Sequence, residues 1–242
     1  MKKRIRQLML LLVIAGMASI VYLLYYREVR NVEYGNFGVS IPEDYPILGM
    51  DVSHYQGDIN WNQVKAMKDG GDSIQFVYIK ATEGLSVEDD YKRENAIGAR
   101  SVEIDYSFYH FFIPTLSARE QAAFFCEEIE GYNFDLKPVL DVEIESDEFN
   151  IHLKDSVNVF LNYSEKRLGV RPIVYTYSNL FFRYFSDMDE LFWVAKYSRY
   201  SPAMDFENVI CWQFSETGTV DGINEKVDLN VAKENFFQKM SR

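Results

Sequence analysis

The sequence predicts an α/β fold: an irregular, single-domain (β/α) TIM-like barrel of about eight strands and five helices, preceded by an N-terminal transmembrane helix. Three observations lead there. From Ile47 onward short apolar runs alternate with helical patterns, the signature of a parallel sheet or barrel. Eight such runs can be counted, and the 242 residues of the chain sit close to the roughly 250 of one barrel. Run after run also ends on ionisable or hydrogen-bonding residues, as strands do when their carboxyl ends surround a ligand site.

Residues 1–7, MKKRIRQ, form a basic end expected to stay in the cytoplasm. Residues 8–26 are an apolar run of 19 residues without a charge, close to the roughly 20 that a helix needs to cross a bilayer. They predict a transmembrane signal-anchor with the rest of the chain exported, on the periplasmic or extracellular face. The rival is a cleaved signal peptide, which would leave a secreted protein. Small residues do occur at 15–19, but the run continues through IVYLLYY without a convincing cleavage site, which favours the anchor. Residues 27–46 are polar, carry Gly35, Gly38, Pro42 and Pro46, and lack periodicity, so they read as a linker or stalk. The globular domain is expected over 47–242.

Within that domain the strands are expected at 47–53, 73–80, 102–112, 138–144, 171–178, 191–197, 208–215 and 226–230, each apolar and rich in β-branched or aromatic residues. Helices fill 60–69, 89–100, 117–130, 152–169 and 179–186. Ser117, with Glu120 three residues on, forms a capping box, and Gly131 and Gly169 stand where helices should stop. The later connections are too short for full helices, so the second half of the barrel is expected to be irregular.

Composition narrows the function. Lys and Arg number 25 against 37 Asp and Glu, and removing the four cations ahead of the apolar run leaves 21 against 37, a net −16. Nucleic acid is therefore an improbable partner, since phosphate binding needs a basic face. The 18 Phe and 17 Tyr suit a packed globule and a site that stacks on an amphipathic ligand. Cys126 and Cys211 lie in apolar settings and read as buried free thiols, although an exported protein could pair them; the absence of a dense cysteine framework favours the free form. The chain contains no G-x-S-x-G elbow, P-loop or G-x-G-x-x-G motif, which argues against serine-hydrolase, nucleotide-hydrolysing and dinucleotide chemistry. No cofactor is implied. Zinc would want clustered His or Cys, so no metal is expected, although carboxylates alone leave magnesium or calcium open.

The stretch KPVLDVEIES, 137–146, organises the site. Val139, Leu140, Val142 and Ile144 have the composition of a buried strand, and Asp141 and Glu143 interrupt it. Residues i and i+2 of a strand share a face, about 6.6 Å apart along the chain. Two carboxylates converging in a partly dry space push one pKa up, so one acid can donate a proton while the other stays charged. The other strand ends supply Asp51 with Ser53 and His54, Lys80 and Glu83, Tyr109 and His110, Tyr175 and Tyr177, Lys196, Trp212 and Gln213, and Asp228. Singly each has a bland reading: a core histidine, a packing tryptophan, a lysine that neutralises a barrel acid. Four carboxylates, Asp51, Asp141, Glu143 and Asp228, with flanking aromatics suit glycoside hydrolysis.

Five spaced segments closely resemble the glycoside hydrolase family 25 lysozymes, N-acetylmuramidases that act on peptidoglycan. They are GMDVSHYQGDINW (49–61), FVYIKATEG (76–84), YHF (109–111), PVLDVE (138–143) and WQFSETGTVDGINEKVDLN (212–230). The resemblance implies an irregular α/β barrel and cleavage of the β-1,4 bond between N-acetylmuramic acid and N-acetylglucosamine. It also implies that Glu143 is the catalytic acid and base, beside Asp141, which orients or charge-stabilises the N-acetyl group whose oxygen attacks the anomeric carbon; as the acid, Glu143 is expected to have a pKa raised by partial burial and by the charge of Asp141. Asp51 and Asp228 would hold that pair and tune its proton affinity, while Lys80, Glu83, Tyr109, Tyr175 and Gln213 line the saccharide groove. Tyr55 stands where tryptophan is common, and Val87 where an aromatic often follows TEG.

The partners expected are peptidoglycan glycan strands and, through the N-terminal helix, a membrane, with a monomeric catalytic domain. The alternative is a membrane-tethered, catalytically weak glycan-binding protein. Intact Asp51, Asp141, Glu143 and Asp228 argue against it.

Overall fold

The structure, a computed structural model, describes residues 9, 12–22, 35–144 and 152–241. It forms two compact units, Met1–Gly35 and Asn36–Arg242. In the first, residues 12–22 are helical. A helix of that length rises about 16 Å, against a hydrocarbon core of about 30 Å. Among the described residues no helix is long and apolar enough to cross a membrane. The span expected over 8–26 is thus described only in its middle, and its flanks lie outside the described residues, as does the basic end 1–7.

In the second unit every expected strand forms. The strands are β1 (Ile47–Val52), β2 (Ile74–Glu83), β4 (Asp105–Phe111), β5 (Val139–Val142), β6 (Ile173–Tyr177), β7 (Phe192–Ala195), β8 (Val209–Gly218) and β9 (Val227–Ala232), with a two-residue β3 (Val87–Glu88) folded back on β2. The ring runs β1-β2-β4-β5-β6-β7-β8-β9 and closes on β1. Seven strands are parallel. The eighth, β9, is antiparallel to both neighbours, β1 and β8. The short link from β8 to β9 explains the reversal, because a parallel return needs a crossover of a dozen residues or more.

Four helices cover the first half of the ring: α1 (Trp61–Ala66), α2 (Lys92–Ser101), α3 (Ala118–Ile129) and α4 (Leu153–Leu168). Ser117 caps α3 by accepting the Glu120 N–H, and Gly169 ends α4 at φ 73°, a left-handed angle that glycine adopts without strain. The helix expected over 179–186 is a single turn, α5 (Ser178–Leu180), running into a π turn at Phe181–Phe185. An unforeseen short helix, α6 (Phe236–Met240), follows β9. The linker expected over 27–46 is cut short: Phe37 is fully buried, its carbonyl accepts the Thr219 N–H, and Tyr45 packs edge-on against Trp212. Two aromatic anchors among polar residues attach this stretch to the barrel, and hydrophobic periodicity cannot reveal anchors that sparse.

Alternation along the strands sorts the side chains. Leu48, Met50, Ile79, Phe108, Leu140 and Val174 point outward into the core beneath the helices. Ile47, Phe76, Tyr78, Val139, Ile173 and Trp193 fill the interior. Gly49 is required there, because a Cβ would lie 2.3 Å from the Phe76 ring. Phe236 of α6 stacks on Phe76, with centroids 4.5 Å apart, and the Met240 carbonyl accepts the Lys137 N–H. Helix α6 therefore stoppers the amino end of the barrel and leaves the other end open.

Candidate active site

At the open end the inward positions turn polar, and they line a cleft of about 540 Å³. All nine residues that the family resemblance assigns to the site reach it: Asp51, Lys80, Glu83, Tyr109, Asp141, Glu143, Tyr175, Gln213 and Asp228. Asp51 and Asp228 stand directly opposite one another across the β1–β9 pair. Asp228 lies near the start of its strand, and only the reversal of β9 brings that start to the same rim as the carboxyl ends of the others. Asp141 lies in β5, while Glu143 sits one residue past the end of that strand.

Gln213 ties the floor together. Its Nε2 donates to Asp51 Oδ2 at 3.0 Å and to Asp228 Oδ2 at 3.3 Å. Its Oε1 accepts from the Tyr175 hydroxyl at 2.8 Å and the Tyr197 hydroxyl at 3.0 Å. Both amide protons and both lone pairs are in use. Asn230 extends the network, donating to Asp51 Oδ2 at 2.7 Å and accepting from Trp193 Nε1 at 2.9 Å. At 2 % exposure Gln213 braces the acids from below.

The lining holds six carboxyl groups and one ammonium, and that ammonium, Lys80, is 2.7 Å from Glu83 Oε2. The acids cannot all stay ionised in so confined a space. Burial drives Asp51 well above the usual aspartate range, the charge of Asp228 adds to it, and the donors Asn230 and Gln213 restrain it. Asp228 is raised to about 6 by burial, then by Glu216 and Glu143, with a hydrogen bond from Asp51 holding it back. Asp141 is raised by burial first and then by Glu143. Glu143 is raised by burial, while the Tyr175 hydroxyl and the Lys80 charge restrain it. The elevation expected for Glu143 is present, but burial causes it, and the mutual repulsion falls on the deeper Asp141. Tyr109 and Tyr175 are pushed far up by burial, so both remain neutral hydroxyls. Asp141 Oδ1 is buried with no hydrogen-bond partner among the described residues.

Other strand-end residues turn out to be structural. His110 points outward, with Nδ1 2.8 Å from Thr82 Oγ1 and Nε2 3.2 Å from Gln121 Oε1, and burial drops its pKa to about 4. Trp212 also faces the outer core, and its Nε1 donates to the Lys196 carbonyl. His54 turns from the cleft to Asp89, whose Oδ2 accepts its backbone N–H at 2.9 Å and lies 2.8 Å from Nδ1. That contact holds the turn His54–Gln56, from which Tyr55 and Gln56 reach the cleft. Tyr197 and Glu216 also line the cleft and escaped the sequence reading. Strict alternation from Trp193 through Ala195 would have found Tyr197 and sent Lys196 outward. Cys126 and Cys211 are both buried and free. Among the described residues no group of three or more His, Cys, Asp or Glu could hold a metal ion.

The model for Glycosyl hydrolases family 25 matches residues 50–223. The uncharacterised protein YegX of Escherichia coli O6:H1 is 37% identical over 210 residues, which is 85% of this chain and 75% of that protein. Lysozyme M1 of Streptomyces globisporus is 30% identical over 201 residues, 76% of this chain and 67% of that one. Among solved structures, a family 25 glycosyl hydrolase from Bacillus anthracis matches with a TM-score of 0.71 at 28% identity, covering 81% of this chain and 94% of that chain. A bacterial lysozyme from Streptomyces coelicolor matches with a TM-score of 0.68 at 28% identity, covering 79% and 95%.

Proposed function

The chain belongs to glycosyl hydrolase family 25, and from that premise we propose that it is a lysozyme, an N-acetylmuramidase that hydrolyses the β-1,4 bond between N-acetylmuramic acid and N-acetylglucosamine in peptidoglycan. The observation that carries the site assignment is the convergence of Asp51, Asp141, Glu143 and Asp228 on one cleft. Glu143, at the strand end and less deeply set than Asp141, is the general acid: it gives its proton to the glycosidic oxygen as the bond to the anomeric carbon breaks. The carbonyl oxygen of the substrate's own N-acetyl group attacks that carbon, the exception to the two-carboxylate scheme in which the substrate supplies the nucleophile. The unpartnered, buried Asp141 Oδ1 offers an acceptor for the acetamido N–H and so orients the group. Glu143, now ionised, takes a proton from the incoming water, which displaces the acetamido oxygen and regenerates the acid. Asp51 and Asp228, braced by Gln213, set the field around the pair, while Tyr109, Tyr175, Lys80 and Glu83 line the saccharide groove.

Export and tethering belong to the same proposal. The basic start MKKRIRQ and the uncharged run 8–26 support a chain attached to the membrane with its barrel on the exported side.

The deciding experiment is Glu143→Gln assayed by turbidity loss of a cell-wall suspension and by mass spectrometry of released fragments. The wild type should release fragments ending in reducing muramic acid. The variant should lose at least about a thousandfold in rate, a single acid's usual share or more, yet still sediment with the wall. Wild-type turnover by the variant would remove Glu143 from its role, and a wild type that sediments without clearing would make the protein a binder.

A further inference from the structure

Beside the cleft, over the rim formed by the ends of β6 and β7, lies a second, shallower recess of about 520 Å³ that shares Tyr177 with it. Its wall carries Lys196, Ser178, Asn179 and Phe182. No described residue forms an ion pair with Lys196, and no described residue bonds the side chains of Ser178 or Asn179; each of these polar groups is uncommitted. Phe182 beside them is 42 % exposed, a large apolar side chain left open to water. Uncommitted polar groups converging next to an exposed ring are what a ligand recess offers.

Charge indicates the occupant. Even with some of its six acids protonated, the cleft has a single ammonium, already paired with Glu83, so it offers no cation to an anionic part of a substrate. A peptidoglycan strand is a neutral sugar chain except at its muramic acid units, where a lactyl ether carries a peptide with free carboxylates. When the sugars occupy the cleft, that branch must leave it, and the recess past Tyr177 offers a free cation. We propose that this recess binds the peptide branch of the substrate, with the Lys196 ammonium pairing with a peptide carboxylate, Ser178 and Asn179 taking its amides, and Phe182 covering its apolar side chains. The assignment rests on the muramidase reading and narrows it: the substrate is peptide-bearing glycan, in preference to the bare polysaccharide.

The test compares three forms of one wall preparation: peptides intact, peptides removed by an amidase, and peptide carboxylates chemically amidated. The wild-type protein should cleave the intact form with a kcat/KM about tenfold above the other two, mostly through KM. In Lys196→Met that preference should collapse to within twofold, and amidation should then have no further effect, because charge and partner act as one pair. Lys196→Arg should restore most of the preference, which a merely structural lysine would not do. Equal wild-type rates on intact and stripped glycan would overturn the proposal, as would a preference that survives in Lys196→Met. A wild type that cleaves none of the three would instead overturn the muramidase reading itself.

Discussion

Replacing Gln213 with leucine removes an amide whose four hydrogen-bonding positions are all occupied by side chains of the cleft. Tyr175, 3 % exposed, loses the acceptor 2.8 Å away and keeps only the Glu143 carboxyl, whereas Tyr197, 41 % exposed, can turn to water. A hydrogen bond lost from a buried group costs about 0.5 to 1.5 kcal/mol, more where the partner is charged, and Tyr175, Asp51 and Asp228 each lose one, so a total near 2 to 4 kcal/mol is expected. For a domain of this size that lowers Tm by about 5 to 10 °C. The chemical consequence is more specific. Gln213 restrains the rise in the Asp51 pKa by donating to its carboxylate, so its loss lets that pKa rise further. The acid limb of kcat/KM on cell-wall substrate should therefore move to higher pH, with KM within twofold of wild type. Gln213→Glu, which can still accept from the tyrosines but adds a carboxylate, should move the limb in the same direction. An unmoved limb with a raised KM would refute the reasoning and make Gln213 a direct substrate contact.

Asp228 binds its proton more tightly folded, near pH 6, than at its ordinary 3.8, so its contribution to stability is fully present below 3.8 and is lost as pH rises through about 6. That span is worth about 3 kcal/mol. Relative to wild type, Asp228→Asn should melt progressively higher as pH increases from 4 to 7 while losing activity, and a pH-independent difference in Tm would contradict the assignment. For the tether, the full chain produced in a bacterial host should stay in the membrane pellet after an alkaline carbonate wash and should be digested by protease added outside spheroplasts. Release by the wash would make the protein secreted or peripheral.

The fold was largely legible because each barrel strand is a short apolar run ending in polar residues, and the eight runs from Ile47 to Ala232 each became a strand. What escaped depends on facts with no local signature. The direction of β9 is set by how little chain joins it to β8, and its apolar pattern reads the same in either sense. Trp212 and His110 looked like site residues because they sit at strand ends, but one step along a strand flips a side chain to the other face. The four acids could be named from the chain alone. That Gln213 braces them from beneath could not, since an amide's partners come from strands remote in sequence.

The ring closes only when β1 pairs with β9, and its floor links Asp51 to Asn230 across 179 positions of sequence. No fragment that stops short of β9 holds both aspartates in register, so under the proposed function and export a chain threaded part-way through a translocation channel would have no cutting edge. On that proposal, competence to degrade a wall is postponed until the last strand has crossed and docked, a safeguard for the producing cell that needs no inhibitor or propeptide.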